Sequence, residues 1–267
     1  MIIVERGDAP LIVSIPHAGT EIPDDIAPDL ISLDRARYDA DLYIDKLYAF
    51  AGGMGATIFR TTISRTVIDM NRDPSGVSLY PGMATTGLCP LTPFDGDPLW
   101  REGREPDEAE IARRRDAYFT PYHAGLSAEI ERLRAKHPKV VLYEAHSIRS
   151  HVPMLFDGEL PQFNIGTNSG QACAPELADA VAGQCSVSQV VDGRFKGGWT
   201  TRHYGRPESG VHAIQMELAD RGYILDPSGP VSPDNWPSAY EPERAKPMRR
   251  HLHRVLTACI AFAESQR

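Results

Sequence analysis

His17 and His146 each close an apolar run, Leu11-Ile12-Val13-Ser14-Ile15-Pro16-His17 and Val140-Val141-Leu142-Tyr143-Glu144-Ala145-His146. Short runs of this kind read as buried parallel strands, and open α/β sheets gather their ligands at the carboxyl edges of such strands. Two imidazoles from distant parts of the chain are thereby expected at one edge, which points to a metal. A hydrolytic zinc site takes three protein ligands and keeps one position for water, and two histidines with a carboxylate form one such set. A lone histidine after a strand is more often structural; the second occurrence of the pattern shifts that balance. For the third ligand, Glu21 is nearest in sequence, but Pro23 opposes a helix that would return it to His17. Asp39, Asp41 and Asp45 cluster at the expected start of a helix, where carboxylates also serve the helix dipole. Residue types alone leave Asp39 and Asp41 both open.

Four further groups belong to the same chemistry. Glu144 shares a strand face with His146 and is placed either to hold the imidazole or to face the metal as a catalytic carboxylate. Glu217, inside the apolar Gly210–Leu218 segment, is the other candidate for general base and proton donor. The segment Ser64–Asp73 carries Arg65, Asp69, Asn71 and Arg72 close together, and a guanidinium fork beside an amide suits bidentate capture of a carboxylate; a salt-bridge network with Asp69 and Asp73 is the structural alternative. Gly193–Gly205 sets Arg194, Lys196 and Arg202 among glycines that let the backbone approach an anion. It lacks the spacing of a phosphate-binding P-loop.

The elements that must position these groups alternate along the chain. Strands are expected at 11–15, 56–59, 66–69, 139–143, 188–191 and 212–217. Helices are expected at Tyr38–Phe50, at Asp107–Lys136 with a break at Pro121, and at Glu241–Glu264. This is an α/β pattern with a mixed, mainly parallel sheet flanked by helices. Two Pro/Gly-rich stretches, 73–103 and 225–240, are long enough to be functional lids or wrapping loops. With 267 residues the chain is expected to form one domain, 1–267. A net charge of −8 opposes a nucleic-acid or anionic-membrane partner but not a small anionic substrate held by local arginines. No apolar stretch reaches membrane length and the N-terminus has no signal-peptide pattern, so a cytoplasmic location is expected. Cys89, Cys173, Cys185 and Cys259 are scattered and read as reduced, packed thiols. The pattern carries no signal for oligomeric state.

Taken together, these patches resemble the N-formylglutamate amidohydrolase family, including its deformylases of histidine degradation. The shared segments run through nearly the whole chain: Ser14–Gly19, Asp39-Ala40-Asp41, Leu47–Phe50, Ser64-Arg65, Asp69–Arg72, Leu79–Gly82, Phe94–Gly96, Pro121–His123, Ala145–Ser150, Gly193–Gly198, Thr201–Gly205 and His212–Glu217. The resemblance implies a fold similar to the zinc-dependent exopeptidases, of the phosphorylase/hydrolase-like type, and hydrolysis of N-formyl-L-glutamate to formate and L-glutamate. It favours Asp41 as the third ligand beside His17 and His146 of one divalent ion, expected to be zinc. It makes Glu217 or Glu144 the acid/base group, with Arg65, Asn71, Arg72, Arg194, Arg202 and His212 around the substrate's carboxylates. Other N-acyl amino-acid amidohydrolases and carboxypeptidases would use the same metal with a different acyl pocket. A non-haem iron oxygenase shares the two-histidine, one-carboxylate set, and a non-enzymatic anion-binding protein would keep only the pocket.

Overall fold

The strands expected at 11–15, 139–143 and 212–217 form the middle of one sheet. The structure, a computed structural model, describes residues 1–227 and 229–265; Ser228, within the second Pro/Gly-rich stretch, and the last two residues of the 1–267 unit lie outside the described residues. Seven strands, β1 (Ile2–Glu5), β2 (Leu11–Ile15), β3 (Thr57–Thr61), β4 (Val140–Ile148), β5 (Phe163–Gly166), β6 (Gln189–Val191) and β7 (Val211–Ala219), lie in the order β1-β3-β2-β4-β7-β5-β6. The β3-β2-β4-β7 core is parallel, whereas β1 on β3 and β5 on β7 are antiparallel. The sheet is therefore mixed and mainly parallel at its centre, as expected.

Alternation along the central strands divides the interior. Leu11, Val13 and Ile15 of β2, Val141, Tyr143 and Ala145 of β4, and Ile214, Met216 and Leu218 of β7 pack in one core with α1 (Ile44–Tyr48), α4 (Pro175–Ala182) and α6 (Pro242–Glu264). Ile12, Val140, Leu142 and Ala213 pack in the other with α3 (Thr120–Arg134). Near the strand ends this second face turns polar: Glu144 and His146 continue the series of Val140 and Leu142, and Gln215 and Glu217 continue that of Ala213. Register sets His146 beside Glu217 and Glu144 beside Gln215. On α6, Met248, Leu252, Val255 and Leu256 are all buried, each worth roughly 1.5–3 kcal/mol of apolar transfer.

Three expectations are corrected. Residues 66–69 are not a strand: Ser64 and Asp69 accept hydrogen bonds from the backbone N–H groups of Thr66 and Asn71, and these local bonds curl the segment into turns. The helix expected over 38–50 begins only at Ile44, after Tyr43 at φ 60°, so Asp39 and Asp41 precede it. Helix 107–136 is divided into α2 (Glu108–Arg114), a wide π-type turn at Arg115–Phe119, and α3, with Pro121 in the first turn of α3, where its missing N–H costs least. The short edge strand β1 and the four-residue β5 carried too little alternation to be foreseen. The 73–103 stretch has no strand or helix of its own. All four cysteines are buried and unpaired, and among the described residues no helix is long and apolar enough to cross a membrane.

His123 on α3 braces the turn segment. Its Nε2 donates to the Met70 carbonyl at 2.9 Å and Tyr204 Oη lies 3.1 Å from Nδ1. Burial pushes its pKa down from 6.5 to about 4. The unfolded chain thus takes up a proton that the folded one refuses, so this contribution to stability is complete above pH 6.5 and is lost as pH falls from there towards about 4. It amounts to about 3 kcal/mol. In urea unfolding, His123→Gln is expected to lose about that much less stability than the parent between pH 6.5 and 4; equal pH slopes would refute the assignment.

Candidate metal centre and anion pocket

His17 follows β2 and His146 lies near the end of β4, the adjacent parallel strand, so their rings meet with centroids 4.7 Å apart. Asp69, delivered by the curled 64–71 segment, takes His17 Nε2 at 2.7 Å. With Nε2 bearing the proton, His17 Nδ1 presents a bare lone pair that is buried without a hydrogen-bond partner. It points towards Asp41, whose Oδ2 lies 3.9 Å away and is also 2.9 Å from His146 Nδ1. Ligand atoms of His17, Asp41 and His146 all lie within 4.8 Å of one another, and all three residues are buried. The chemistry of this donor set, with an unsatisfied imidazole nitrogen aimed into it, fits a divalent cation.

Asp69 is the electrostatic hub behind these groups. Besides His17 it accepts from Arg65 Nη2 at 2.7 Å and from the Asn71 N–H at 2.8 Å. Complete burial alone would raise its pKa, but His17, Arg72 and Arg65 outweigh burial and hold the carboxyl well below the usual carboxylate range. Burial, reinforced by Arg65, lowers the pKa of His17 and so favours the neutral imidazole, the form that binds metals. Asp39 turns elsewhere: Oδ2 accepts the Phe94 N–H at 2.8 Å and Oδ1 lies 3.4 Å from Arg149 Nη2. Of the two aspartates the sequence left open, Asp41 is the one beside the imidazoles.

A cleft opens over His17 and His146, with Arg65, Asn71, Arg72, Arg194 and Glu217 in its wall. Burial raises the pKa of Glu217 to about 8. Asn71 Nδ2 lies 3.0 Å from His146 Nε2, and Asn71 Oδ1 accepts the Thr200 N–H. A Cβ on Gly198 would fall 2.3 Å from that amide, so only glycine lets the backbone pass here.

Two expected site residues, Arg202 and His212, lie away from the cleft, and Glu144 takes the first of its two expected places, against the imidazole of His146. Glu144 is fully buried behind His146, with Oε2 accepting from Thr201 Oγ1 at 3.0 Å and Oε1 3.6 Å from His146 Nε2; it backs the imidazole and has no access to the cleft. Arg202 is outside the cleft wall; its guanidinium lies over the Tyr80 ring and its Nε donates to the Gly197 carbonyl at 2.9 Å. His212 stands at the opposite end of β7, where Nδ1 accepts the Ala174 N–H and the ring packs edge-on against Phe262. Strand position decides this last case, because the amino end of a parallel strand faces away from the ligand edge. Sequence reasoning missed Gln215, whose Oε1 receives the Gly198 N–H at 2.8 Å; its spacing of two from Glu217 was the available signal. Phe94, under the Arg65 guanidinium at 5.1 Å, and Tyr80 bring the 73–103 loop into the cleft wall.

Fold and site together define an α/β protein with a buried His/Asp/His group at the carboxyl edge of its sheet and an arginine-lined cleft in front of it. The sequence matches the N-formylglutamate amidohydrolase family over residues 9–224, and the chain belongs to that family. It is 42% identical to the N-formylglutamate deformylase of Pseudomonas aeruginosa over 266 residues, which cover 98% of this chain and 97% of that protein. It is also 42% identical to the N-formylglutamate deformylase of Pseudomonas putida over 261 residues, 96% of this chain and 94% of that one. The fold is similar to the crystal structure of N-formylglutamate amidohydrolase from Ralstonia eutropha JMP134, with a TM-score of 0.77 at 23% identity over 98% of this chain and 97% of the other. A gene product of Agrobacterium tumefaciens has the same fold, with a TM-score of 0.71 at 20% identity over 99% and 96% of the two chains.

Since Asp69 fixes the tautomer of His17, Asp69→Asn is expected to weaken Zn²⁺ binding by about 10- to 100-fold. A competition titration against a chromogenic chelator measures this, and unchanged affinity would remove Asp69 from the site.

Proposed function

We propose that this chain is a metal-dependent amidohydrolase that hydrolyses N-formyl-L-glutamate to formate and L-glutamate, a cytoplasmic step of histidine degradation. The observation that carries this reading is the partnerless Nδ1 of His17 beside Asp41 and His146, in a cleft that Glu217 and three arginines share. The activity named for relatives 42% identical over nearly the whole chain supports the substrate. The four unpaired, buried cysteines accord with a reducing compartment. Kinship with zinc-dependent exopeptidases and a single catalytic domain over 1–267 belong to the same reading.

His17, Asp41 and His146 would hold the ion, with zinc the best fit to two imidazoles and a carboxylate. When bound, the ion supplies Lewis-acid polarisation of the formyl carbonyl and acidifies water. Glu217 accepts a proton from the attacking water and returns it to the departing amine, so that one water is added across the C–N bond. Glu144 holds the His146 ring from behind. Arg72 and Asn71 orient the carboxylate nearest the scissile amide, while Arg194 meets the one at the end of the side chain. Arg65, committed to Asp69, adds positive potential without leaving that partner.

Purified protein is expected to contain about one equivalent of divalent metal and to release formate from N-formyl-L-glutamate. Chelation should abolish turnover and Zn²⁺ restore it; full activity after metal stripping would overturn the chemistry. Glu217→Gln is expected to lower kcat by about 10²- to 10⁴-fold with the metal retained. For Arg72→Ala, KM should rise while metal content stays the same. Loss of metal from that variant would show instead that Arg72 supports the centre.

A further inference from the structure

Among the arginines of the cleft wall, Arg194 is distinguished by its partners. Arg65 is bound to Asp69, and Arg72 donates to Thr86 and the Asn71 carbonyl with Asp69 3.9 Å away. Arg194 has no carboxylate at ion-pair distance among the described residues. Its Nε donates to the Leu155 carbonyl and its Nη2 to that of Ala84, both at 2.7 Å, which leaves its other N–H donors uncommitted. A half-buried guanidinium aimed by two carbonyls but lacking a counter-ion is suited to an anionic ligand.

Tyr80 holds this arrangement from the side. Two guanidinium groups lie over its ring, with Cζ of Arg194 5.4 Å and Cζ of Arg202 4.9 Å from the centroid. Its hydroxyl donates to the Gly197 carbonyl at 2.9 Å and accepts the Lys196 N–H at 3.2 Å. The same Gly197 carbonyl receives Arg202 Nε, at a residue whose positive φ, 102°, favours glycine. Tyr80 is thus one of the pins that join the 73–103 loop to the 193–198 loop, beside the Arg194–Ala84 hydrogen bond, and Arg194 lies against its ring.

We propose that Tyr80 is a positioning residue for Arg194, and that this pair sets selectivity for N-acyl amino acids whose side chain ends in a carboxylate. Arg202, expected from the sequence on the substrate, instead helps to hold the Tyr80 ring, bound through Nε to the carbonyl that the Tyr80 hydroxyl also meets. The cation–π contacts keep the Arg194 plane in place without consuming its N–H donors. This inference rests on the amidohydrolase reading above.

The test compares N-formyl-L-glutamate with N-formyl-L-glutamine, which has the same shape but a neutral end, in the metal-loaded parent, Tyr80→Phe, Tyr80→Ala, Arg194→Ala and the Tyr80→Ala/Arg194→Ala double variant. The parent is expected to prefer the glutamate substrate. Tyr80→Ala should reduce that preference about tenfold, through KM for the glutamate substrate, which is the weakening of one charge-assisted hydrogen bond. Tyr80→Phe, which keeps the ring, should lose less. The double variant should discriminate no worse than Arg194→Ala, because both changes act on one contact. Equal losses for the two substrates, or additive losses in the double variant, would overturn the positioning role, and thermal melts identify a variant that has failed to fold. A parent inactive on both substrates would refute the amidohydrolase reading and this inference with it, an outcome distinct from an active parent whose preference ignores Tyr80.

Discussion

The buried carboxylate of Asp69 is the constraint around which the site is organised. A charge removed from water is tolerated only when donors surround it, and here an imidazole, a guanidinium and a backbone N–H do so at 2.7–2.8 Å. Satisfying Asp69 settles what its partners present on their other sides. His17 has its proton on Nε2 and a bare Nδ1 directed at Asp41; Arg65 is held beside the cleft; the chain is bent so that Asn71 and Arg72 face inward. One ionised side chain behind the cleft therefore creates the unsatisfied nitrogen in the centre.

The division of labour between sheet and loops follows from backbone hydrogen bonding. Strands β2, β4 and β7 have their polar groups saturated by neighbours, so the positions of His146 and Glu217 are set by register, and His17 follows two residues after the end of β2. Much of the cleft wall comes from irregular segments, 64–73, 73–103 and 193–198, the last leading into α5 (Trp199–Tyr204), and several of their backbone groups are satisfied by side chains instead. Thr200 N–H on Asn71, Gly198 N–H on Gln215 and Tyr80 on Gly197 are such contacts. This allows a chain of net charge −8 to present a cationic cleft, since local pairing and not overall charge determines the potential at a buried surface.

The class of the fold, the central strands and the two imidazoles were legible in the amino-acid sequence, because alternation and apolar run length are imposed by local sterics and burial. Glu217 was legible for a related reason: an acid within an apolar strand has to answer to something. The 66–69 segment was misread because its apolar residues resemble a strand while Ser64 and Asp69 bond the backbone locally, a competition that composition does not reveal. Strands β1 and β5 were missed because a four-residue strand exists only by virtue of its neighbour.

What the sequence by itself determined, then, is which chemical groups are available and which of them lie at strand ends. Only the tertiary structure turned Asp39 away from the imidazoles that Asp41 meets, chose between the two places open to Glu144, took Arg202 out of the cleft wall and carried His212 to the far end of its strand. Each of these choices depends on contacts across more than thirty positions of chain, as between Asp39 and Phe94 or Glu144 and Thr201. Residue type states what a side chain can bond, but the direction of its bond is set by whichever distant partner the packed backbone brings within about 3 Å.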